Sequence, residues 1–191
     1  MSGAPGGMDG RLESLTVDTM DDAQRALAER MVASKTGQII GPMNAWLRCP
    51  PLAERVFPFG DYARHGSTHP KRLSELAIII VARHWSAQVE WCVHKVEALK
   101  AGLAPAIVDA IEARRQPVFD KEDEEIVYTL LHELIETRAV GDATYRRAVD
   151  FFGESKLVEL IGIFGHYNHV AMVLNTFQVP VPPGWAEPLK D

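Results

Sequence analysis

The stretch from residue 70 to residue 103 decides the fold, and it reads PKRLSELAIIIVARHWSAQVEWCVHKVEALKAGL. Within residues 73–85, the residues that follow Glu75 are apolar on nearly every side of the chain. The four consecutive β-branched residues 78–81 also suit a buried strand, but the chain contains no second strand candidate to pair with them. The stretch therefore predicts a buried helix, and the residues from Ser86 to the helix-ending Gly102 predict a second one. Together they predict a central buried helical hairpin.

Apolar residues at helical spacing also occupy most of the remaining chain. Such segments cover residues 19–37, 52–66, 105–114, 120–140, 142–152 and 154–176, with a short helix inside 41–51. We expect the helix at 52–66 to bend or break near Pro58, because proline cannot donate a backbone hydrogen bond. No part of the sequence has the β-hairpin pattern, in which a short turn joins two stretches of alternating apolar and polar residues. The sequence thus predicts an all-α fold of about seven or eight helices.

The length of 191 residues predicts one domain with one substantial core. With 47% hydrophobic and 24% charged residues, the composition is that of a folded globular protein rather than of a disordered chain. Glycine and proline crowd the first ten residues, and four prolines lie between residues 180 and 188. We therefore expect a disordered N-terminal arm over 1–15, a single domain over 16–179 and a proline-rich tail over 180–191.

Charge and cysteine content narrow the class of protein. The net charge of −6 argues against nucleic-acid binding. The longest apolar run, residues 76–82, is too short to cross a bilayer, and the first residues lack the basic and apolar regions of a signal peptide. The two cysteines, Cys49 and Cys92, do not make a disulfide scaffold. These features predict a cytoplasmic protein without nucleic-acid or membrane partners.

Glu75, Glu90 and His94 are candidates for acid/base chemistry in the hairpin. Glu90 and His94 are four residues apart, so one helical turn separates a carboxylate from an imidazole on the same face. A carboxylate there orients the ring and fixes its tautomer, which suits proton transfer near neutral pH. Glu75 opens the apolar first helix, where burial is expected to raise its pKa. The alternative is that Glu90 and His94 are an exposed pair that stabilises the helix by roughly 0.3 kcal/mol.

Motifs for nucleotides, acyl transfer and metals are absent from the sequence. There is no glycine-rich phosphate loop and no serine nucleophile elbow. His166 and His169, three residues apart, offer two ligands on one helical face but have no evident carboxylate partner. We therefore predict no metal site.

Three short motifs of the hairpin resemble those of the carboxymuconolactone decarboxylase family, which includes the AhpD-like peroxidases. They are Arg-x-x-Glu-Leu at 72–76, Glu-Trp-x-x-His at 90–94 and Ala-Gly-Leu at 101–103, and the resemblance extends to Tyr-Ala-Arg-His-Gly at 62–66. It implies an all-helical AhpD-like fold that assembles as a homo-oligomer, a trimer or a hexamer. It also implies that Glu75, Glu90 and His94 are functional.

The peroxidase branch of this family carries Cys-x-x-Cys-x-x-x-His, with a glutamate twelve residues before the first cysteine. Aligned on His94, that glutamate matches Glu75, but the two cysteine positions hold Ala87 and Glu90. Cys92 lies about 200° around the helix from position 90 and cannot take its place. Cys92 is the redox candidate that remains, although a small core residue is the better interpretation.

The decarboxylase branch shares Glu-Trp-x-x-His and needs no thiol, metal or other cofactor. Loss of CO2 from an unsaturated lactone acid leaves an enolate-like anion that has to be stabilised and then protonated on carbon. The resemblance therefore implies His94 for stabilising the anion and Glu90 or Glu75 for proton transfer. The expected substrate-binding residues are Arg83, His84, Trp91, His166 and Tyr167, with Arg64, His65 and His69 as weaker candidates.

The sequence thus predicts a cofactor-free acid/base enzyme of the decarboxylase or isomerase type. Its expected substrate is a small carboxylated compound or lactone, of the kind met in aromatic compound catabolism. Two alternatives stay open: alkylhydroperoxidase or peroxiredoxin-type antioxidant activity, and a non-catalytic oligomer that binds a small ligand.

Overall fold

The computed structural model describes residues 10–33, 39–182, 184–185 and 189–190, and within these ranges the chain is all-helical without strands. This confirms the predicted fold class, with nine α-helices in the described part instead of seven or eight. They are α1 (Asp22–Ala33), α2 (Met43–Trp46), α3 (Pro50–Asp61), α4 (Lys71–His84), α5 (Gln88–Lys100), α6 (Pro105–Glu112), α7 (Glu122–Thr137), α8 (Asp142–Phe152) and α9 (Glu154–Thr176).

The predicted buried hairpin is formed by α4 and α5 and lies at the centre of the fold. Every residue of α4 from Leu73 to Arg83 is buried, because α5, α7 and α9 all pack against this helix. A helix enclosed by other helices is apolar all round. Enclosure by helices therefore explains why the β-branched run at 78–81 is helical.

The turn between α4 and α5 is fixed to α9. Ser86 adopts a left-handed backbone conformation with φ of 47°, which helps to reverse the chain over a few residues. The indole Nε1 of Trp85 donates a hydrogen bond to Oδ1 of Asn168 at 2.7 Å, and Nδ2 of Asn175 donates to the carbonyl of Trp85 at 2.7 Å. These bonds hold the hairpin in register with the last helix, so side chains of α5 and α9 meet in fixed positions.

A π-helical turn at Tyr62–Gly66 directly continues α3, which runs through Pro58 without breaking. The hydroxyls of Tyr62 and Thr68 donate to the two carboxylate oxygens of Glu159 on α9, at 2.6 and 2.5 Å. Although burial alone would raise the pKa of Glu159, the hydrogen bonds from Thr68 and Tyr62 lower it to about 2. The π turn is therefore anchored to α9. Turns of this kind change the direction of side chains and are frequent at functional sites.

The described part of the C-terminal tail packs on the hairpin. Nε2 of Gln88 donates to the carbonyl of Leu189 at 2.7 Å, and the Leu189 amide donates back to Oε1 of Gln88 at 3.1 Å. Leu189 itself is buried. Most of the expected N-terminal arm, and the predicted end of the first helix near Gly37, lie outside the described residues.

The last helix, α9, is long and apolar enough, by length and composition, to cross a membrane. Half of its most apolar window is nevertheless buried inside the fold, and the core helix of a soluble protein passes the same test. Its packing against α4 and α8 accounts for its apolar character, so the helix is weak evidence for a membrane span.

Candidate active site

A cavity of about 350 Å³ opens between α2, α3 with its π turn, α5 and α9, with Pro182 and Trp185 of the tail on its wall. Most of its lining is apolar. Its ionisable side chains are Asp61, Arg64, His65, Glu90, His94, His166 and Tyr167. An apolar cavity with a few convergent polar groups is the usual form of a small-molecule site.

Glu75 and His94 form a buried pair in which Oε2 of Glu75 lies 2.7 Å from Nδ1 of His94. Burial alone would raise the pKa of Glu75, but the charge and hydrogen bond of His94, together with the ammonium of Lys71, lower it. The expectation of a raised pKa at Glu75 is therefore wrong. The ionised carboxylate accepts the Nδ1 proton, which leaves Nε2 of His94 as the atom that exchanges a proton with a bound molecule.

Lys71 supports this pair from the preceding turn of α4. Its Nζ lies 2.7 Å from Oε1 of Glu75 and also donates to the carbonyl of Arg64 at 3.0 Å. The Lys71 side chain is 42% exposed whereas that of Glu75 is fully buried, so the ammonium remains hydrated while it stabilises a carboxylate that is not. Lys71 thus adds to the effect of His94 in lowering the pKa of Glu75, and it connects the π turn to the Glu75–His94 pair.

Glu90, unlike Glu75, has no hydrogen-bond partner among the described residues. Its side chain is buried, both carboxyl oxygens are shielded from solvent, and no described residue forms a hydrogen bond with either oxygen. Burial raises the pKa of Glu90 well above its ordinary value, which favours the protonated acid. Glu90 nevertheless lines the cavity one helical turn before His94. A buried acid without a partner is costly and is characteristic of functional sites.

The expected contact between Glu90 and His94 is therefore not formed. The carboxylate that orients the imidazole comes from α4, where Glu75 faces His94 across the hairpin. The alternative of an exposed helical pair is also wrong, because Glu90 and His94 are 2% and 5% exposed.

His166 and Tyr167 of α9 lie beside His94 on the cavity wall. The rings of Tyr167 and His94 meet edge-on with centroids 4.9 Å apart, and His166 stands edge-on to Tyr167 at 5.3 Å. Burial lowers the pKa of His166 to about 4, and the charges of His169 and His94 act in the same direction. Burial also raises the pKa of Tyr167, as does the negative charge of Glu75. Both residues therefore bring neutral hydrogen-bonding groups to the cavity near pH 7.

Gly60 allows α3 to approach this wall closely. A Cβ atom at position 60 would lie 2.9 Å from Nε2 of His166, a distance that only displacement of the imidazole relieves. The absence of a side chain at Gly60 thus keeps His166 at the cavity surface.

The chain matches no family model and no curated protein. Among solved structures, it is similar to the crystal structure of a protein of unknown function from Agrobacterium tumefaciens that bears the provisional name antioxidant defence protein AhpD. The TM-score is 0.62 at 13% sequence identity, and the similarity covers 75% of this chain and 99% of the other. The chain has an AhpD-like fold. At this identity the similarity establishes the fold alone, and function has to be argued from the site.

Arg83, His84 and Trp91 do not line the cavity of this AhpD-like fold. Arg83 donates to the carbonyls of Glu112 and Lys190 at 2.7 and 2.8 Å, so its guanidinium joins α6 and the tail to the hairpin. His84 is exposed at the end of α4, and Trp91 is buried in the core. Their expected role in substrate binding is therefore not supported. Arg83 and His84 lie in the last turn of α4, Trp91 is buried in the core, and none of the three lines the cavity.

The two cysteines of the chain do not occupy the positions of the redox pattern. Cys92 is buried on α5, Cys49 is exposed just before α3, and the two form no disulfide. Neither cysteine lines the cavity. His69, a weaker candidate, is also remote, because its Nε2 contacts the carbonyl of Lys156 at 2.8 Å.

Several residues that line the cavity were not predicted as site residues from the sequence, among them Trp46, Phe57, Gly60, Asp61 and Trp185. Arg64 and His65, which also line it, were only weaker candidates. The only sequence signal for them is the Tyr-Ala-Arg-His-Gly motif at 62–66. No local pattern shows that these residues meet, because separate elements contribute them.

Within the described ranges, no group of three histidine, cysteine or acidic side chains is placed to hold a metal ion. His166 and His169 instead pack around Trp46, whose ring stacks on His169 with centroids 5.9 Å apart. The two histidines thus belong to an aromatic cluster at the cavity wall.

Proposed function

We propose that this protein is a cofactor-free acid/base enzyme, of decarboxylase or isomerase type, acting on a small carboxylated or lactone substrate. The observation that carries the proposal is a buried carboxyl group paired with His94 beside a second buried carboxyl group, one helical turn away on the cavity wall, that has no hydrogen-bond partner among the described residues. Glu75 is held ionised against Nδ1 of His94, while Glu90 is held unpaired on the wall of the same apolar cavity. Pairs of acids whose environments drive their pKa values apart are typical of proton-transfer sites.

Glu75 acts through His94 and is therefore a positioning residue. Its carboxylate fixes the ring orientation by accepting a hydrogen bond at Nδ1. When the ring carries both protons, Nε2–H donates a hydrogen bond to an oxygen on which negative charge develops. In the neutral form, Nε2 removes a proton from a carbon next to a carbonyl group, which is the first step of an isomerisation.

Glu90 is the better candidate for the proton donor, because Glu75 is engaged by His94 and Lys71. In a decarboxylation, the bond between the ring carbon and the carboxylate breaks, CO2 leaves, and the electron pair passes into an enolate conjugated with the lactone carbonyl. The Glu90 proton then adds to carbon, and the Glu90 carboxylate recovers a proton from water. One proton is consumed for each CO2 released, and no electron donor or acceptor is required.

Incubation of the protein in D2O with a panel of β,γ-unsaturated lactone acids tests the proposal. For at least one panel member we expect release of CO2 with one deuterium on the protonated carbon, or, for an isomerase, deuterium incorporation without CO2. Mass spectrometry and proton NMR measure both. Thermal stabilisation by panel members without either reaction contradicts the proposal and supports a non-catalytic binding protein.

The antioxidant alternative rests on the provisional name of the Agrobacterium protein. The position of the cysteines counts against it, because neither Cys49 nor Cys92 lines the cavity. We therefore expect the double variant Cys49→Ala/Cys92→Ala to keep wild-type turnover in the deuterium assay, since acid/base chemistry uses no thiol. A peroxide-reducing activity in the wild type that the double variant loses would favour the antioxidant function instead.

Assembly and location are part of the same proposal. The family resemblance supports a homotrimer or homohexamer, and a sequence with only two cysteines, which do not make a disulfide scaffold, agrees with a cytoplasmic location.

A further inference from the structure

Arg64 is a cationic side chain of the cavity that has no anionic partner among the described residues. It lies in the π turn at Tyr62–Gly66, lines the cavity and is half-buried. Its backbone carbonyl accepts a hydrogen bond from Lys71, but no described carboxylate forms an ion pair with its guanidinium. A half-buried guanidinium loses hydration without gaining a partner, which is unfavourable unless a ligand supplies the anion.

Arg64 lines the same cavity as His94 and Tyr167. Burial raises the pKa of Tyr167, and the positive charge of Arg64 opposes that rise, so the guanidinium acts electrostatically on the residue that packs against His94. Hydrogen bonds from Tyr62 and Thr68 to Glu159 hold the turn in place. Arg64 is thus presented by an anchored segment.

The acidic groups of the cavity leave the Arg64 charge available. Burial favours the uncharged acid at Glu90. Glu75 does not line the cavity and is paired with Lys71 and hydrogen-bonded to His94. Asp61 is exposed at the cavity and makes no ion pair with Arg64. An incoming carboxylate therefore finds one unpaired guanidinium, whose planar fork of donors fits two carboxylate oxygens.

The remainder of the cavity suits an apolar body attached to that carboxylate. Trp46 and Phe57 contribute aromatic faces, and Val170 and Leu174 contribute aliphatic ones. A flat ring buried among such side chains loses unfavourable contact with water.

We infer that Arg64 is the carboxylate-binding residue of this cavity, and that its ligands are small monocarboxylates with an apolar ring. The inference rests on the proposed function, and it gives to Arg64 the contact with the substrate that the sequence predicted for Arg83 and His84. Arg64 holds the acid group while the ring lies against the aromatic wall near His94 and Glu90.

Binding of 2-naphthoate and of its uncharged analogue 2-naphthamide, measured by titration calorimetry at neutral pH and low salt, tests the inference. For the wild-type protein we expect tighter binding of naphthoate than of naphthamide. Arg64→Gln is expected to raise the Kd of naphthoate at least about tenfold and to leave that of naphthamide nearly unchanged, because a charged hydrogen-bonded pair is lost. The control Arg55→Gln removes an exposed charge from α3 outside the cavity and should change neither Kd.

Three results overturn the inference. The wild-type protein does not bind naphthoate, or Arg64→Gln binds naphthoate with the wild-type Kd, or Arg64→Gln raises the Kd of naphthoate and that of naphthamide by the same factor. The last result indicates a structural role for Arg64. Because the titration needs no turnover, its outcome is independent of the proposed chemistry. Arg64-dependent binding without CO2 release or deuterium incorporation would contradict only the enzyme, and turnover with an unchanged KM in Arg64→Gln would contradict only the carboxylate site.

Discussion

Replacement of His94 by glutamine is expected to lower kcat at least about 100-fold on any panel acid that the wild-type protein converts. Glutamine is of similar size and accepts or donates hydrogen bonds, but it neither carries the positive charge that stabilises an enolate nor takes a proton from carbon. The loss should appear equally in CO2 release and in deuterium incorporation, since both depend on Nε2. Initial rates in D2O measured by NMR check the expectation.

His132→Gln is the matched control, because His132 is an exposed histidine of α7 that stacks on Tyr128 with ring centroids 5.3 Å apart, outside the cavity. It should keep wild-type turnover. Circular dichroism and thermal unfolding of both variants establish that they are folded. Wild-type kcat in folded His94→Gln would remove His94 from the mechanism.

Replacement of Glu90 by glutamine is expected to lower kcat at least about 100-fold and, at the same time, to make the protein more stable at neutral pH. The amide has the shape of the acid but delivers no proton. It also carries no ionisable group, so at neutral pH it avoids the cost of keeping a buried carboxyl protonated above its unfolded pKa. A substitution that stabilises the fold while abolishing turnover is the pattern of a residue kept for function.

The gain in stability should depend on pH in a defined direction. Burial raises the pKa of Glu90 in the folded chain above its unfolded value. The wild-type contribution is therefore fully present below the unfolded pKa and is lost as the pH rises towards the folded one, because the unfolded chain releases this proton first. Relative to wild type, the free energy of unfolding of Glu90→Gln should increase with pH, at up to about 1.4 kcal/mol per pH unit.

Urea unfolding between about pH 5 and about pH 8 measures this slope. Glu97→Gln is the control, since Glu97 is a partly exposed residue of α5 whose carboxylate pairs with Lys100 at 2.9 Å. It should show no comparable change with pH. A difference in stability between Glu90→Gln and wild type that does not change with pH would mean that the Glu90 carboxyl is ionised in the folded chain or has a partner.

Local sequence information was sufficient for the hairpin. The continuous apolar residues from 76 to 82 have to be enclosed on all sides, and helical flanks without a pairing strand leave a helix as the only consistent element. The identity of Glu75, Glu90 and His94 as the candidate reactive set also came from the sequence, through spacing and family resemblance.

Contacts between different helices could not be predicted from local sequence patterns. The i, i+4 rule placed Glu90 against His94, yet Glu75, nineteen positions away in the chain, occupies Nδ1. The ionisation of Glu75 likewise depends on Lys71 and His94 together, and burial without these partners predicts the opposite pKa shift. Arg83 was expected at the substrate but joins α6 and the tail, since its direction follows from how α4 packs.

The sequence by itself determined an all-helical chain with a buried α4–α5 hairpin and the residues able to move protons, because helical periodicity and residue chemistry are local properties. Only the tertiary structure decided which carboxyl has a lowered pKa, which has a raised one, and that Arg64 lines the cavity. Those properties arise from desolvation and from partners contributed by α3, α4, α5 and α9, and no single segment of the chain contains that information.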